Sequence, residues 1–246
     1  MTDTAINVMI YNEFVHELRD EAVKAVYPGG IHQVIESFLQ KDEAIGKIRC
    51  ATLNDHRETL SKDNLDDTDV LVWWGHLRHQ EVDDEAAARV CRRVLNGMGL
   101  VVLHSGHASK PFKTLMGTDT HELRWREAGE KVRVWNIARN HPITRGLTET
   151  FAILHDETYG EPFGIPEPDQ LIFLSWFQGG EVFRSGCTWR RGEGKVFYFQ
   201  SGHETFPVYY QKEIQLIITN AVKWARPLER NCVIDRGGPN APALET

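Results

Sequence analysis

Short apolar segments alternate with helical patterns in the first half of the chain, and this alternation constrains the fold more than any other feature. The apolar segments are INVMIYN (6–12), KIRCATL (47–53), DVLVWWG (69–75) and GLVVLHSG (99–106). Such runs predict strands that are buried on both faces. Apolar residues recur at helical spacing over 31–39 and 87–98. Because strands and helices alternate, we predict an α/β fold, a three-layer sandwich whose central sheet is mostly parallel.

After residue 117 the pattern changes to strands with fewer helices. The further strand candidates are KVRVWNIA (131–138), TFAILHDE (150–157), LIFLSWF (171–177), EVFRSG (181–186) and GKVFYFQSG (194–202). We expect several of them to extend the same sheet, and a closing helix over 211–225 to bury one apolar face. We predict a single domain over 1–226. The segment 227–246 contains Gly-Gly-Pro and Ala-Pro-Ala without periodicity, which predicts a C-terminal tail or arm.

Composition excludes several classes of protein. The chain carries 28 basic and 35 acidic side chains, for a net charge of -7, and has no Lys/Arg stripe, so we expect no nucleic-acid partner. No run approaches the roughly 18–20 apolar residues of a membrane helix, and the N-terminus lacks the pattern of a signal peptide. The four cysteines form no C-x-x-C pair. We therefore expect a cytoplasmic protein with free thiols and no membrane association.

Polar residues gather where the predicted strands end. Ligands of open α/β sheets bind beyond the carboxyl ends of the strands, and six of the 11 histidines lie at such positions. The candidates, in chain order, are Asn12, Glu13, Trp74, His76, His79, His104, Ser105, His107, Lys110, His155, Asp156, Glu157, Tyr159, His203 and Glu204. Any one of these histidines could be a turn residue, but their accumulation at one edge indicates a functional site.

Three kinds of chemistry fit this group. Ser105 could be a nucleophile, although the surrounding sequence is H-S-G-H and not G-x-S-x-G. His203, His104 and Glu157 could act as general acids and bases without a metal.

The third kind is metal chemistry. Neutral imidazoles with a nearby carboxylate suit a divalent metal, with zinc as the first choice. The candidate metal ligands are His76, His79, His107 and His203. The metalloprotease signature H-E-x-x-H is absent. We expect no nucleotide cofactor, and the residues alone do not choose among the three chemistries.

Taken together, several motifs resemble a known family. LVVLHSGH after a WWGH strand, then HPIT, DETY and GKVFYFQSGHET, resemble the pattern of the trehalose-utilisation (ThuA-like) proteins over about residues 6–226. The resemblance implies a flavodoxin-like fold of the class I glutamine amidotransferase-like superfamily. It also implies catalytic roles for His104, Glu157, Tyr159 and His203. No cysteine occupies a strand-end elbow, which argues against glutaminase activity.

The resemblance also implies a function in carbohydrate catabolism. The expected substrates are 3-keto derivatives of trehalose- or sucrose-type disaccharides, made by a partner sugar dehydrogenase. Removal of the C2 proton would lead to glycosidic cleavage or to isomerisation. Asn12, Glu13, Trp74, Ser105, Lys110 and Glu204 are the candidate substrate-binding residues. The alternatives are a non-catalytic sugar-binding or regulatory module and a Ser105-dependent hydrolase. The apolar segments and the tail also suggest a homo-oligomer.

Overall fold

The structure is a computed structural model and describes residues 5–229. Within this range, nine strands form one sheet. The strands are β1 (Ile6–Asn12), β2 (Ile45–Thr52), β3 (Val70–Trp74), β4 (Gly99–Leu103), β5 (Arg124–Asn136), β6 (Thr150–Gly160), β7 (Gln170–Phe177), β8 (Val182–Arg191) and β9 (Gly194–Phe199). Their order across the sheet is β2-β1-β3-β4-β9-β8-β7-β5-β6. Every segment predicted as a strand therefore overlaps a strand of this sheet.

The sheet is mixed, so the prediction of a mostly parallel sheet is wrong. Strands β2, β1, β3, β4 and β9 are parallel to one another. The pairings β9–β8, β8–β7, β7–β5 and β5–β6 are antiparallel. The physical reason lies in the connections: β7, β8 and β9 follow one another through short turns, which join antiparallel strands, whereas a parallel pair needs a longer crossover. The α/β class is confirmed.

Helices occupy the connections of the parallel half. They are α1 (His16–Arg19), α2 (Glu21–Val26), α3 (Ile31–Leu39), α4 (His56–Thr59), α5 (Lys62–Asp66), α6 (Asp84–Leu95), α7 (Lys110–Met116) and α8 (Lys212–Ala225). The Asp83 side chain caps α6 by accepting the Ala86 N–H at 2.9 Å. Helix α8 confirms the predicted closing helix and packs on β4, where Gly99 approaches Ala225 closely.

The parallel strands end in register at one edge of the sheet. Asn12 at the end of β1 lies beside Trp74 of β3, and Trp74 lies beside Leu103 of β4, which in turn lies beside Phe199 of β9. The segments that follow these four residues therefore leave the sheet side by side. This register is what brings the strand-end polar residues together.

Two predictions concern the ends of the chain and its environment. The predicted tail, 227–246, lies outside the described residues from position 230 onwards. In the part of the chain that the structure describes, no helix is both long and apolar enough to cross a membrane.

Candidate active site

His104 stands at a sharp turn directly after β4. Its backbone φ is 51°, in the left-handed region that non-glycine residues rarely adopt. Such a conformation costs roughly 1–3 kcal/mol and persists where the surrounding structure enforces it. The imidazole is fully buried, and its Nδ1 lies 2.9 Å from the backbone oxygen of Gln200. Because a carbonyl can only accept, Nδ1 carries a proton and Nε2 is directed elsewhere.

Three further side chains meet His104 at this edge of the sheet. His76 follows β3, and His203 and Glu204 follow β9. One ligand atom from each of the four residues lies within 4.8 Å of the others. His76 is held by Glu204, whose Oε1 is 2.8 Å from His76 Nδ1. We call His76, His104, His203 and Glu204 the four-residue cluster.

Several buried polar atoms in and beside the cluster have no hydrogen-bond partner among residues 5–229. They are His104 Nε2, His203 Nε2, Glu204 Oε2 and Glu157 Oε2. His104 Nε2 and Glu157 Oε2 are 3.2 Å apart, but their orientation does not form a well-directed hydrogen bond. An unsatisfied buried polar group costs about 1–3 kcal/mol. Several such atoms directed at one place indicate a site that is completed by a ligand.

The backbone around the cluster is held by Asp156 from the distant strand β6. Its carboxylate accepts the N–H groups of Gly202 and His203, each at 3.2 Å, and that of Glu157 at 2.9 Å. In addition, Gln200 Nε2 donates to the backbone oxygen of Glu157 at 3.1 Å. These bonds attach β6 to the segment after β9 and bring Glu157 to the cluster.

The electrostatics of the cluster separate its imidazoles into two kinds. Burial alone would lower the pKa of His104, but the adjacent Glu157 carboxylate raises it to about 9. Burial and the nearby His104 lower the pKa of His203 to about 4. Burial opposes charge on Glu204, yet its bond to His76 lowers the pKa of this carboxyl to about 2. The cluster therefore combines the Glu204 carboxylate with a protonated imidazole, His104, and a neutral one, His203.

The donor set fits a divalent metal ion. Three imidazoles and one carboxylate are ligands that zinc and similar borderline ions accept. His104 donates its Nδ1 proton to the backbone oxygen of Gln200, so in the neutral imidazole Nε2 carries a free lone pair that can bind a metal. His203 Nδ1 lies 2.7 Å from Thr205 Oγ1 and 3.3 Å from the Thr205 backbone N–H, so Nε2 is available as a ligand in the tautomer in which Nδ1 donates to Oγ1 instead of accepting the backbone N–H. A metal would displace the extra proton of His104, since coordination requires neutral imidazole.

Three residues of the cluster, His76, His203 and Glu204, line a cavity of about 500 Å³, whereas His104 is fully buried behind its wall. The cavity is lined by His16, Asp20, Val23, His76, Leu77, His79, Ser105, His107, Ala108, His121, Leu123, Trp125, Glu127, Glu157, Tyr159, His203, Glu204 and Thr205. Binding sites for drug-sized molecules are typically about 300–1,000 Å³. The volume is therefore sufficient for a sugar-sized ligand beside the cluster.

Some of the residues singled out from the sequence lie at this cavity outside the four-residue cluster. Glu157 and Tyr159 share one face of β6, as residues two apart on a strand do, and both line the cavity. Ser105 Oγ is hydrogen-bonded to Tyr159 Oη at 2.7 Å, so its partner is a phenol rather than an imidazole base. Two candidate metal ligands, His79 and His107, line the cavity but lie outside the cluster.

Four of the candidate substrate-binding residues do not line the cavity. Asn12 is buried and bonded to Glu17 and His32. The Trp74 side chain is also buried, with its Nε1 donating to Gly202. These two side chains hold neighbouring segments in place.

The other two candidates outside the cavity are Glu13 and Lys110. Glu13 accepts backbone N–H groups of the segment after β3. Lys110 points away and bonds Asp84 and the backbone of Val82. The structure thus gives all four residues supporting contacts, whereas Ser105 and Glu204 do reach the cavity.

The cavity also contains residues that the sequence patterns did not single out. His16 Nδ1 lies 3.4 Å from Glu204 Oε1, and His121, Trp125 and Glu127 form part of the wall. Trp125 and Glu127 belong to the first part of β5, which begins at residue 124 rather than at the predicted 131. The segment RWREAGE has no apolar alternation, so periodicity carried no signal for it.

Fold and site together define an α/β protein with a histidine-rich ligand cavity at the carboxyl edge of a mixed sheet. The model of the ThuA family, described as trehalose utilisation, matches residues 7–225. The chain belongs to the ThuA family, and the resemblance seen in the motifs is confirmed.

Solved structures of low sequence identity share the fold. A ThuA-like protein from Parabacteroides merdae ATCC 43184 is 14% identical with a TM-score of 0.66, covering 92% of each chain. A ThuA-like protein from Bacteroides uniformis ATCC 8492 is 16% identical with a TM-score of 0.60, covering 91% of this chain and 92% of that one. A cytoplasmic protein from Salmonella typhimurium LT2 is 13% identical with a TM-score of 0.60, covering 89% and 99%. No curated protein matches significantly.

Proposed function

We propose that the protein is an enzyme of carbohydrate catabolism that removes the C2 proton of 3-keto sugars with the help of a divalent metal. The observation that carries the proposal is the convergence of three imidazoles and one carboxylate at the wall of a sugar-sized cavity. The family description, trehalose utilisation, supports a sugar as the substrate. An oxidoreductase that converts the C3 hydroxyl to a ketone must supply such a substrate.

The four-residue cluster would hold the metal, through Nε2 of His104 and His203 together with His76 and Glu204. A bound divalent ion supplies Lewis acidity for the ketone oxygen, on which negative charge develops when the C2 proton leaves. The chain contributes a fixed and largely buried set of polar groups around this position, which is where electrostatic stabilisation is most effective.

Glu157 is the base in this proposal. Its carboxylate lines the cavity, is 5% exposed and lies 3.2 Å from His104 Nε2, so it stands next to the cluster without belonging to it. Burial opposes charge on Glu157, but the neighbouring His104 imidazole, 3.2 Å away, lowers the pKa of its carboxyl. Glu157 is thus a carboxylate near neutral pH and can accept a proton.

The proposed reaction balances without any further reactant. The C2–H electron pair forms the enolate and the proton passes to Glu157. When the enolate collapses to the ketone, a C1–C2 double bond forms and the C1–O bond breaks. The departing oxygen then takes a proton from Glu157 or from water, which releases the second sugar. Reprotonation of the enolate at carbon or oxygen would instead give an isomer.

The test is incubation of metal-loaded protein with a 3-keto disaccharide in D₂O. Nuclear magnetic resonance would follow deuterium at C2, and a reducing-sugar assay would follow cleavage. We expect Glu157→Gln to slow exchange by about 10²–10⁴, the usual contribution of a general base. The control is Glu21→Gln, because Glu21 is 88% exposed and outside the cavity.

Metal binding has its own readout. Elemental analysis should find about one divalent ion per chain, and His104→Ala and His203→Ala should each lose it. Absence of both exchange and cleavage by the metal-loaded protein would refute the proposed activity. A metal-free protein that binds sugars tightly without converting them would instead identify the non-catalytic binding module.

A further inference from the structure

The cavity has a second polar wall that the proposed chemistry does not use. His79, His107 and His121 line the cavity, and none of them belongs to the four-residue cluster. Tyr159 lies between the two groups. Its ring stacks on His104 with centroids 5.4 Å apart and meets His107 edge-on at 5.6 Å. We call His79, His107 and His121 the imidazole wall.

The wall offers hydrogen-bonding atoms to a ligand. His79 is 9% exposed, and its Nε2 is buried without a hydrogen-bond partner among the residues described. His107 is 2% exposed and donates from Nδ1 to the backbone oxygen of Thr120 at 2.9 Å, which leaves Nε2 as an acceptor. Burial lowers the pKa of both imidazoles, that of His79 to about 4. Neutral imidazoles are suited to hydroxyl groups rather than to anions.

An exposed aromatic side chain completes this part of the cavity. Trp125 lines the cavity although it is 66% exposed. It is the cross-strand partner of Tyr159 in the β5–β6 ribbon, so the two rings belong to the same local surface. A large indole in solvent beside polar hydrogen-bonding groups is typical of a site that receives an amphipathic ring, because one face of the ligand is apolar and its edge is polar.

We propose that the imidazole wall and Trp125 form a second subsite, which binds the sugar ring attached at C1 of the reacting ring. This inference rests on the proposed function, and it names the residues that bind the second ring of the disaccharide substrate. The reacting ring occupies the four-residue cluster and Glu157. The departing ring lies beyond Tyr159, with its hydroxyls on His79 and His107 and its apolar face on Trp125.

The kinetic test compares two substrates, a 3-keto disaccharide and the 3-keto derivative of a methyl glycoside. We expect Trp125→Ala and His79→Asn each to lower kcat/KM for the disaccharide about tenfold, mainly through KM. The ratio of kcat/KM for the disaccharide to kcat/KM for C2 exchange of the one-ring substrate should therefore fall in both variants. Trp135→Ala is the matched control, because Trp135 is also an exposed tryptophan of β5 but lies outside the cavity. Equal losses on both substrates would overturn the subsite.

A binding test separates failure of the subsite from failure of the proposed reaction. Isothermal calorimetry would measure the affinities of trehalose and methyl α-glucoside for the wild-type protein. The same measurements on Trp125→Ala, His79→Asn and the control Trp135→Ala would follow. Tighter binding of trehalose, lost in Trp125→Ala but not in Trp135→Ala, supports the subsite even if no substrate is converted. Equal binding of the two sugars, or trehalose binding that is unchanged in Trp125→Ala, overturns it even if the exchange reaction proceeds.

Discussion

The buried carboxylate of Glu13 organises the segment that carries His76. It is 2% exposed and accepts three consecutive backbone N–H groups: His76 at 2.9 Å, Leu77 at 3.1 Å and Arg78 at 2.8 Å. The first and last of these bonds go to Oε2 and the middle one to Oε1. Because all three donors face a charged acceptor, each bond is stronger than a neutral one. We therefore predict that Glu13→Gln destabilises the fold and displaces His76.

The magnitude follows from the geometry. Glutamine has one acceptor oxygen, so at least one backbone N–H must face an NH₂ group and lose its bond. A hydrogen bond to a charged group contributes about 1.5–3 kcal/mol, and the two remaining bonds become neutral and weaker. The expected loss is about 3 kcal/mol. For a protein of this size, such a loss lowers Tm by about 6–12 °C.

The assay is thermal and urea unfolding of Glu13→Gln, together with metal affinity by competition with a chelator. We expect metal affinity to fall about 10–100-fold, as for other groups that orient a ligand. The matched control, Glu81→Gln, removes a 53% exposed carboxylate that pairs with Arg78 at 2.7 Å. It should change stability by less than about 1 kcal/mol. A loss in Glu13→Gln no larger than in this control would refute the reasoning.

Three further predictions concern other parts of the molecule. Gly99→Ala would place a Cβ 2.5 Å from the backbone oxygen of Ala225, and we expect urea unfolding to show a loss of about 1–3 kcal/mol from overpacking. Burial raises the pKa of Glu161, but its paired bonds to Arg184 at 2.8 and 2.9 Å lower it below its usual value. The ion pair therefore stabilises the fold fully at pH values above the unfolded-state pKa of Glu161. Glu161→Gln should be less stable than wild type at neutral pH, and the difference in unfolding free energy should disappear as the pH falls through the folded-state pKa of Glu161. Lys110→Met should leave kcat/KM within about twofold, because Lys110 lies outside the cavity; a larger fall would place it at the substrate.

The parallel half of the sheet and its strand ends were predictable from the sequence. Runs such as Leu100 to Leu103 are apolar at every position, as is typical of a strand buried on both faces. Parallel neighbours end at the same edge, so the polar residues that follow them had to gather there. That argument brought His76, His104 and His203 to one place without knowledge of any contact.

Tertiary structure alone decided how the strand-end residues divide into a cluster, a wall and supporting groups. The direction of a side chain after a strand depends on the backbone conformation of the turn. His76 therefore belongs to the four-residue cluster, whereas His79, three residues later, belongs to the imidazole wall. Glu13 is adjacent in sequence to the same edge but is directed at backbone N–H groups. Local spacing does not encode these directions, because each depends on hydrogen bonds to distant segments.

The sequence by itself determined the α/β class, the positions of the strands and the edge at which a site would form, because buried strands and polar strand ends are local properties of composition and order. Only the tertiary structure decided that the later strands are antiparallel and that β6 reaches the segment after β9 through Asp156. These features depend on pairing between segments far apart in the chain. The same pairing places Glu157 beside His104, and on that contact the proposed chemistry depends.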